Sequence, residues 1–88
     1  MSDLEVKVVG AAWCEPCKAL KPVLKGLCEE HELTLTTYDV DTVEGSQFAS
    51  QYGVRGVPTT IVFENGQVKT TLVGMKTKQE LMKAIGIK

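Results

Sequence analysis

Trp13-Cys14-Glu15-Pro16-Cys17-Lys18 decides how the rest of the chain is read. Two thiols stand three positions apart, with a proline between them and an apolar helical pattern behind. That spacing puts both sulfurs on one turn at a helix N-terminus, close enough for a small-loop disulfide. The helix end carries partial positive charge, which favours thiolate over thiol. A thiolate is the species that attacks a disulfide. These residues therefore point to a dithiol/disulfide redox site, with Cys14 exposed and reactive and Cys17 tucked behind it. A structural disulfide or half of a zinc site uses the same spacing. Zinc needs four ligands, and the sequence offers Cys28 and His31 besides. Cys28 lies too far down the same helix to share a metal, so no metal site is expected.

Upstream of the cysteines, Leu4, Val6, Val8 and Val9 form a β-branched run broken by Glu5 and Lys7. It reads as a strand that becomes buried towards Gly10. Gly10-Ala11-Ala12 then leads to the thiols. Pro16 suits a first helical turn, where its missing N–H costs nothing. Cys17, Leu20, Val23, Leu24, Leu27 and Cys28 recur at helical spacing, with Lys18, Lys21, Lys25 and Glu29 on the other face. Pro22 is expected to kink this helix, which should end near His31.

Downstream, residues 33–40 suit a strand. Asp41 is expected to cap a short helix, with Glu44 three residues later and Phe48, Ala49 and Tyr52 along one side. Gly53 should end it. Pro58 cannot donate to a ladder, so it belongs at the start or edge of the strand over residues 59–64. Asn65-Gly66 is a two-residue hairpin signal, and residues 67–73 return antiparallel. Thr77 with Glu80 makes a capping box for a last helix carrying Leu81, Met82 and Ile85, stopped by Gly86. The order is β-α-β-α-β-β-α. It predicts an α/β fold: a mixed four-stranded sheet with helices on both faces.

The chain has 88 residues, enough for one domain over 1–88 with one modest core. Its hydrophobic share of 43% and charged share of 24% are those of an ordinary soluble globule. A formal net charge of -1 gives no broad basic surface for nucleic acid or anionic membrane. The apolar runs are too short to span a bilayer. Met1 to Glu5 lacks the basic start and apolar stretch of a signal peptide, so a cytoplasmic protein is expected. Three cysteines is an odd count for a disulfide-stapled secreted scaffold. Cys28 falls on the apolar helix face and reads as a small core residue.

Three blocks in order resemble the thioredoxin family: Trp13-Cys14-Glu15-Pro16-Cys17-Lys18, then Gly56-Val57-Pro58-Thr59, then Phe63-Glu64-Asn65-Gly66 through Val73-Gly74. The likeness runs from about Leu4 to the end. The family's fuller members begin with another strand and helix, so the chain looks like a minimal thioredoxin fold of glutaredoxin size. The resemblance implies a thiol-disulfide oxidoreductase that reduces protein disulfides through a mixed disulfide. Cys14 would be the nucleophile and Cys17 the resolving thiol. Pro58 would follow a cis peptide bond, and Trp13, Gly56, Val57, Gly74 and Met75 would form the rim that docks substrates. No bound cofactor is implied beyond the Cys14-Cys17 disulfide. The implied partners are disulfide-containing proteins and a thioredoxin reductase or equivalent donor, with the chain acting as a monomer.

Departures from the family pattern are equally specific. The family usually carries a buried aspartate six residues before the first cysteine, where this chain has Val8. The lysine that accompanies it corresponds to Thr37. Losing both avoids leaving one buried charge unpaired. Glu15 stands where a glycine is common, and its negative charge would tune the Cys14 thiol upwards. Two other readings stay open at this point: a glutathione-linked, glutaredoxin-like protein, and a binding subunit built on the same fold.

Overall fold

The computed structural model describes residues 3–87. Seven elements follow the expected order: β1 (Leu4–Gly10), α1 (Glu15–Glu30), β2 (Thr34–Asp39), α2 (Val43–Gln51), β3 (Thr59–Glu64), β4 (Gln67–Val73) and α3 (Lys78–Ile85). The strands form one four-stranded sheet in the order β2-β1-β3-β4. β1 pairs parallel with β2 and antiparallel with β3, and β3 pairs antiparallel with β4. β1 is thus central, and it delivers the chain directly to the cysteines.

Alternation along β1 sorts the core into two layers, because successive strand residues face opposite sides. Val6 and Val8 join Leu20, Leu24, Leu27 and Cys28 of α1 with Leu81 and Ile85 of α3 on one face. Val9 joins Phe48 and Ala49 of α2 with Ile61 and Phe63 of β3 on the other. On that second face Tyr38 stacks on Phe48 at 4.1 Å, and the Lys7 ammonium lies 4.8 Å from the Phe63 ring centre. Helices therefore cover both faces. Among the described residues, no helix is long and apolar enough to cross a membrane.

Local chemistry explains the boundaries. α1 runs unbroken through Pro22 and closes at His31. Asn65 and Gly66 both take positive φ, 53° and 82°, which a tight hairpin with strand-matched twist requires. The expected Thr77/Glu80 capping box is present on α3. Its lower end is closed by Lys69, which projects from an irregularity in β4 and donates to the Ile85 carbonyl at 2.7 Å.

One cap differs from expectation. Thr42, not Asp41, is the N-cap of α2: its hydroxyl oxygen accepts from the Gly45 N–H at 3.0 Å. The same hydroxyl donates to the Asp39 carbonyl at 2.7 Å. That double role anchors the helix to the end of β2, and it frees the Asp41 carboxylate for another partner.

Candidate active site

β1 ends at Gly10, and a short turn carries the chain into α1. Cys14 is the N-cap of that helix, with extended backbone at φ -93° and ψ 111°. Its sulfur accepts the Cys17 N–H at 3.3 Å, a bond that an N-cap oxygen makes in most helices. The Cys14 N–H donates to the Ala11 carbonyl at 3.2 Å, which fixes the approach of the turn. Pro16 falls in the first turn, where no intrahelical N–H is needed. The result is a sulfur at the positive end of a 16-residue helix. That location stabilises a thiolate by dipole and by hydrogen bond together.

Cys14 and Cys17 are joined as a disulfide, their Cα atoms 5.3 Å apart. Expected exposure of Cys14 is corrected: it is 5% exposed, nearly as buried as Cys17 at 4%. The cause is the bond itself together with its cover. Ala11 shares the cluster of the two cysteines, and Val40 and Val57 pack against it. In the oxidised state the Cys14 sulfur is folded away.

Val57 belongs to the second sequence block, so the loop before β3 lies against the disulfide. The Val57–Pro58 peptide bond is cis, and Pro58 is fully buried. The loop is held from within by Thr59, whose hydroxyl donates to the Gly56 carbonyl at 2.6 Å. It is held from β4 by Gly74, whose N–H donates to the Pro58 carbonyl at 2.8 Å. Gly74 itself sits at φ 86°, where a side chain is strained.

Trp13, Gly56 and Val57 come together around a cleft of about 460 Å³, with Val40, Ala49 and Val54 in its walls and Ser46, Ser50 and Arg55 at its polar side. Trp13 is 65% exposed, and its ring has a polar partner. Its indole N–H donates to the Asp41 carboxylate at 2.9 Å. Asp41 is thus a site residue that the sequence reading assigned to a helix cap. An acid just after a strand fits either role, and only the fold brings it to a tryptophan 28 positions away. Met75 is placed apart from this cleft. It is half exposed and lines a groove with Pro22, Val23, Gly26 and Leu27 on the flank of α1.

Glu15 points to solvent and pairs with Lys18 at 3.2 Å. Its charge near the sulfurs is therefore partly balanced within its own helix turn. Val8 is buried against α1 and stands in register with Thr37, which is exposed. Neither residue brings a charge beside Cys17. Cys28 is buried in the α1 layer, 2% exposed, and burial pushes its thiol up. Among the described residues, no group of three or more His, Cys, Asp or Glu is placed to hold a metal ion.

Comparison with known proteins matches this arrangement. The thioredoxin family profile covers residues 6–86. The thioredoxin of Rickettsia bellii is 35% identical over 85 residues, covering 96% of this chain and 81% of that protein. The chloroplastic thioredoxin M-type of Spinacia oleracea is 36% identical over 75 residues, covering 85% of this chain and 41% of that protein. Among solved structures, a mutant thioredoxin from Halobacterium salinarum superimposes with a TM-score of 0.86 at 37% identity, over 94% of this chain and 72% of that one. A disulfide at a helix N-cap, packed against the loop that precedes β3, on a sheet of this order, agrees with that ancestry: the chain belongs to the thioredoxin family and is a thiol-disulfide oxidoreductase of the protein-disulfide reductase type.

Proposed function

We propose that the chain works as a small electron carrier that reduces disulfides in partner proteins, with roles divided among the residues around Cys14. The observation that carries this reading is the placement of the Cys14 sulfur, which is both a helix N-cap and a hydrogen-bond acceptor. Reduced Cys14 ionises there and attacks a substrate disulfide, forming a mixed disulfide. One substrate thiolate leaves and takes up a proton. Cys17 then loses its proton and attacks the Cys14 sulfur. The second substrate thiolate leaves, and the two electrons have passed to the substrate.

Docking is assigned to the surface around the cleft. An extended substrate segment pairs with the Val57 backbone, which flanks the cis Pro58. Trp13 and Gly56 line the cleft beside it, Gly74 flanks it through its bond to the Pro58 carbonyl, and Met75 extends the contact towards the α1 flank. The disulfide is the only redox group the reaction uses. A thioredoxin reductase or an equivalent thiol donor restores the dithiol. The chain acts as a monomer in a reducing compartment, the cytoplasm, where the unpaired Cys28 stays a thiol.

A trapping experiment tests this division of labour. Cys17→Ser leaves the nucleophile and removes the resolving thiol, so a covalent adduct with a disulfide substrate such as insulin accumulates and is cleared by dithiothreitol. Cys14→Ser accumulates none. An adduct formed equally through either cysteine would contradict the assignment.

A further inference from the structure

The cleft of Trp13 and Val57 has one charged residue in its lining, Arg55. Arg55 is exposed and stands two positions before Val57, whose backbone is the proposed pairing edge for substrate. No Asp or Glu lines the cleft with it. Among the described residues, the ion pairs join Lys18 to Glu15 and Lys78 to Glu30, and Arg55 has no acidic partner. The nearby Asp41 carboxylate already accepts the Trp13 indole N–H.

The rest of the lining suits the same guest. Ser46 and Ser50 stand four positions apart on α2, so they share one face of the helix, and both line the cleft. Val40, Ala49 and Val54 add apolar wall. A guanidinium offers a carboxylate two parallel N–H donors, and serine hydroxyls offer further ones. The methylenes of an acidic side chain can rest on the valines. A lysine brought to the same place meets like charge. The chain's formal net charge of -1 does not draw acidic segments in general, so attraction of this kind has to be local.

We propose that Arg55 is a specificity-determining residue for the reductase reaction: it selects protein disulfides that carry a glutamate or aspartate beside the cysteine that Cys14 attacks. The inference rests on the reductase reading and on substrate docking at Val57.

The test uses the symmetrical disulfide of a short peptide with Glu, Gln or Lys beside its one cysteine. The pre-reduced protein is mixed with each peptide in single turnover. One Cys14/Cys17 dithiol becomes a disulfide as one peptide disulfide becomes two thiols, so two electrons and two protons pass to the peptide. Each rate is divided by that of the same peptide with dithiothreitol, which removes the effect of the neighbouring charge on the leaving thiol. The wild type should favour the Glu peptide over the Gln peptide by about fivefold, the upper range for one exposed charge pair. Added salt should shrink that ratio. Arg55→Gln should bring it to one, and Arg55→Glu should turn the preference to the Lys peptide.

A Glu preference that survives Arg55→Gln, or equal normalised rates for all three peptides with the wild type, overturns the proposal and leaves the reductase reading in place. Oxidised glutathione also carries carboxylates. If its normalised rate exceeds that of the Glu peptide and falls with Arg55→Gln, the cleft serves that small disulfide and the protein-substrate assignment is overturned. If the wild-type dithiol reduces no peptide at all, the reductase reading falls and takes this inference with it.

Discussion

At the scale of single residues, the chemistry turns on charges and protons within one helical turn. Glu15 and Lys18 lie in the same turn as the cysteines and pair with each other, both largely in solvent. Solvent weakens each charge's pull on the Cys14 sulfur. Glu15→Gly removes the negative charge and leaves Lys18 unpaired, and both changes favour a thiolate. We expect a small fall in the Cys14 pKa, read from thiolate absorbance; a rise would contradict it. Cys28 gives the opposite case. Its thiol is buried among leucines with its pKa raised, so the folded chain keeps a proton that the unfolded chain releases. Its contribution to stability is therefore full below the ordinary thiol range and is lost as pH rises through and above it. In the reduced protein at mildly alkaline pH, iodoacetamide should label Cys14 quickly and Cys28 only after denaturant is added. Fast labelling of Cys28 in the folded protein would show that its burial is not maintained. The cysteine spacing and Cys28's place on an apolar stripe were legible because each is a local pattern, whereas the cis Val57–Pro58 bond was expected only from the family resemblance. The exposure of Cys14 was not, since its cover comes from Val40 and Val57, distant in sequence.

Elements are set by caps and close approaches, and here the limit of local reading is sharper. The strand alternation of Val6, Val8 and Val9 and the Asn65-Gly66 turn are written in neighbouring residues, so their elements were readable in order. The docking of α2 onto β2 was not. It depends on the Asp39 carbonyl, which receives both the N–H and the hydroxyl of Thr42. It also depends on Gly45, where a Cβ would overlap that same carbonyl. Gly45 has no sequence neighbour that advertises this contact. Gly45→Ala should push α2 away from β2 and cost about 1–3 kcal/mol in denaturant unfolding, the range for overpacking. A gain in stability, as expected for Gly→Ala in an uncrowded helix, would mean that the contact is absent. Because α2 carries Ser46, Ala49 and Ser50 into the cleft beside the disulfide, the same variant should also weaken substrate reduction.

For the molecule as a whole, the sheet order β2-β1-β3-β4 brings three separate sequence blocks to one end. β1 feeds the cysteines, β3 begins with the proline loop, and β4 ends at Gly74, hydrogen-bonded back to Pro58. The topology was legible because two β-α units followed by a tight hairpin leave few ways to build one sheet. The partnership of Asp41 with Trp13 was not, because it exists only once β2 and the turn before α1 lie side by side. The proposed docking surface surrounds this disulfide, and the central claim is that electrons leave through Cys14. The most direct test is insulin reduction with dithiothreitol as electron source, comparing the wild type with Cys14→Ser. The wild type should accelerate precipitation of the insulin B chain, and Cys14→Ser should match the rate without protein. Acceleration that survives the loss of Cys14 would contradict the account.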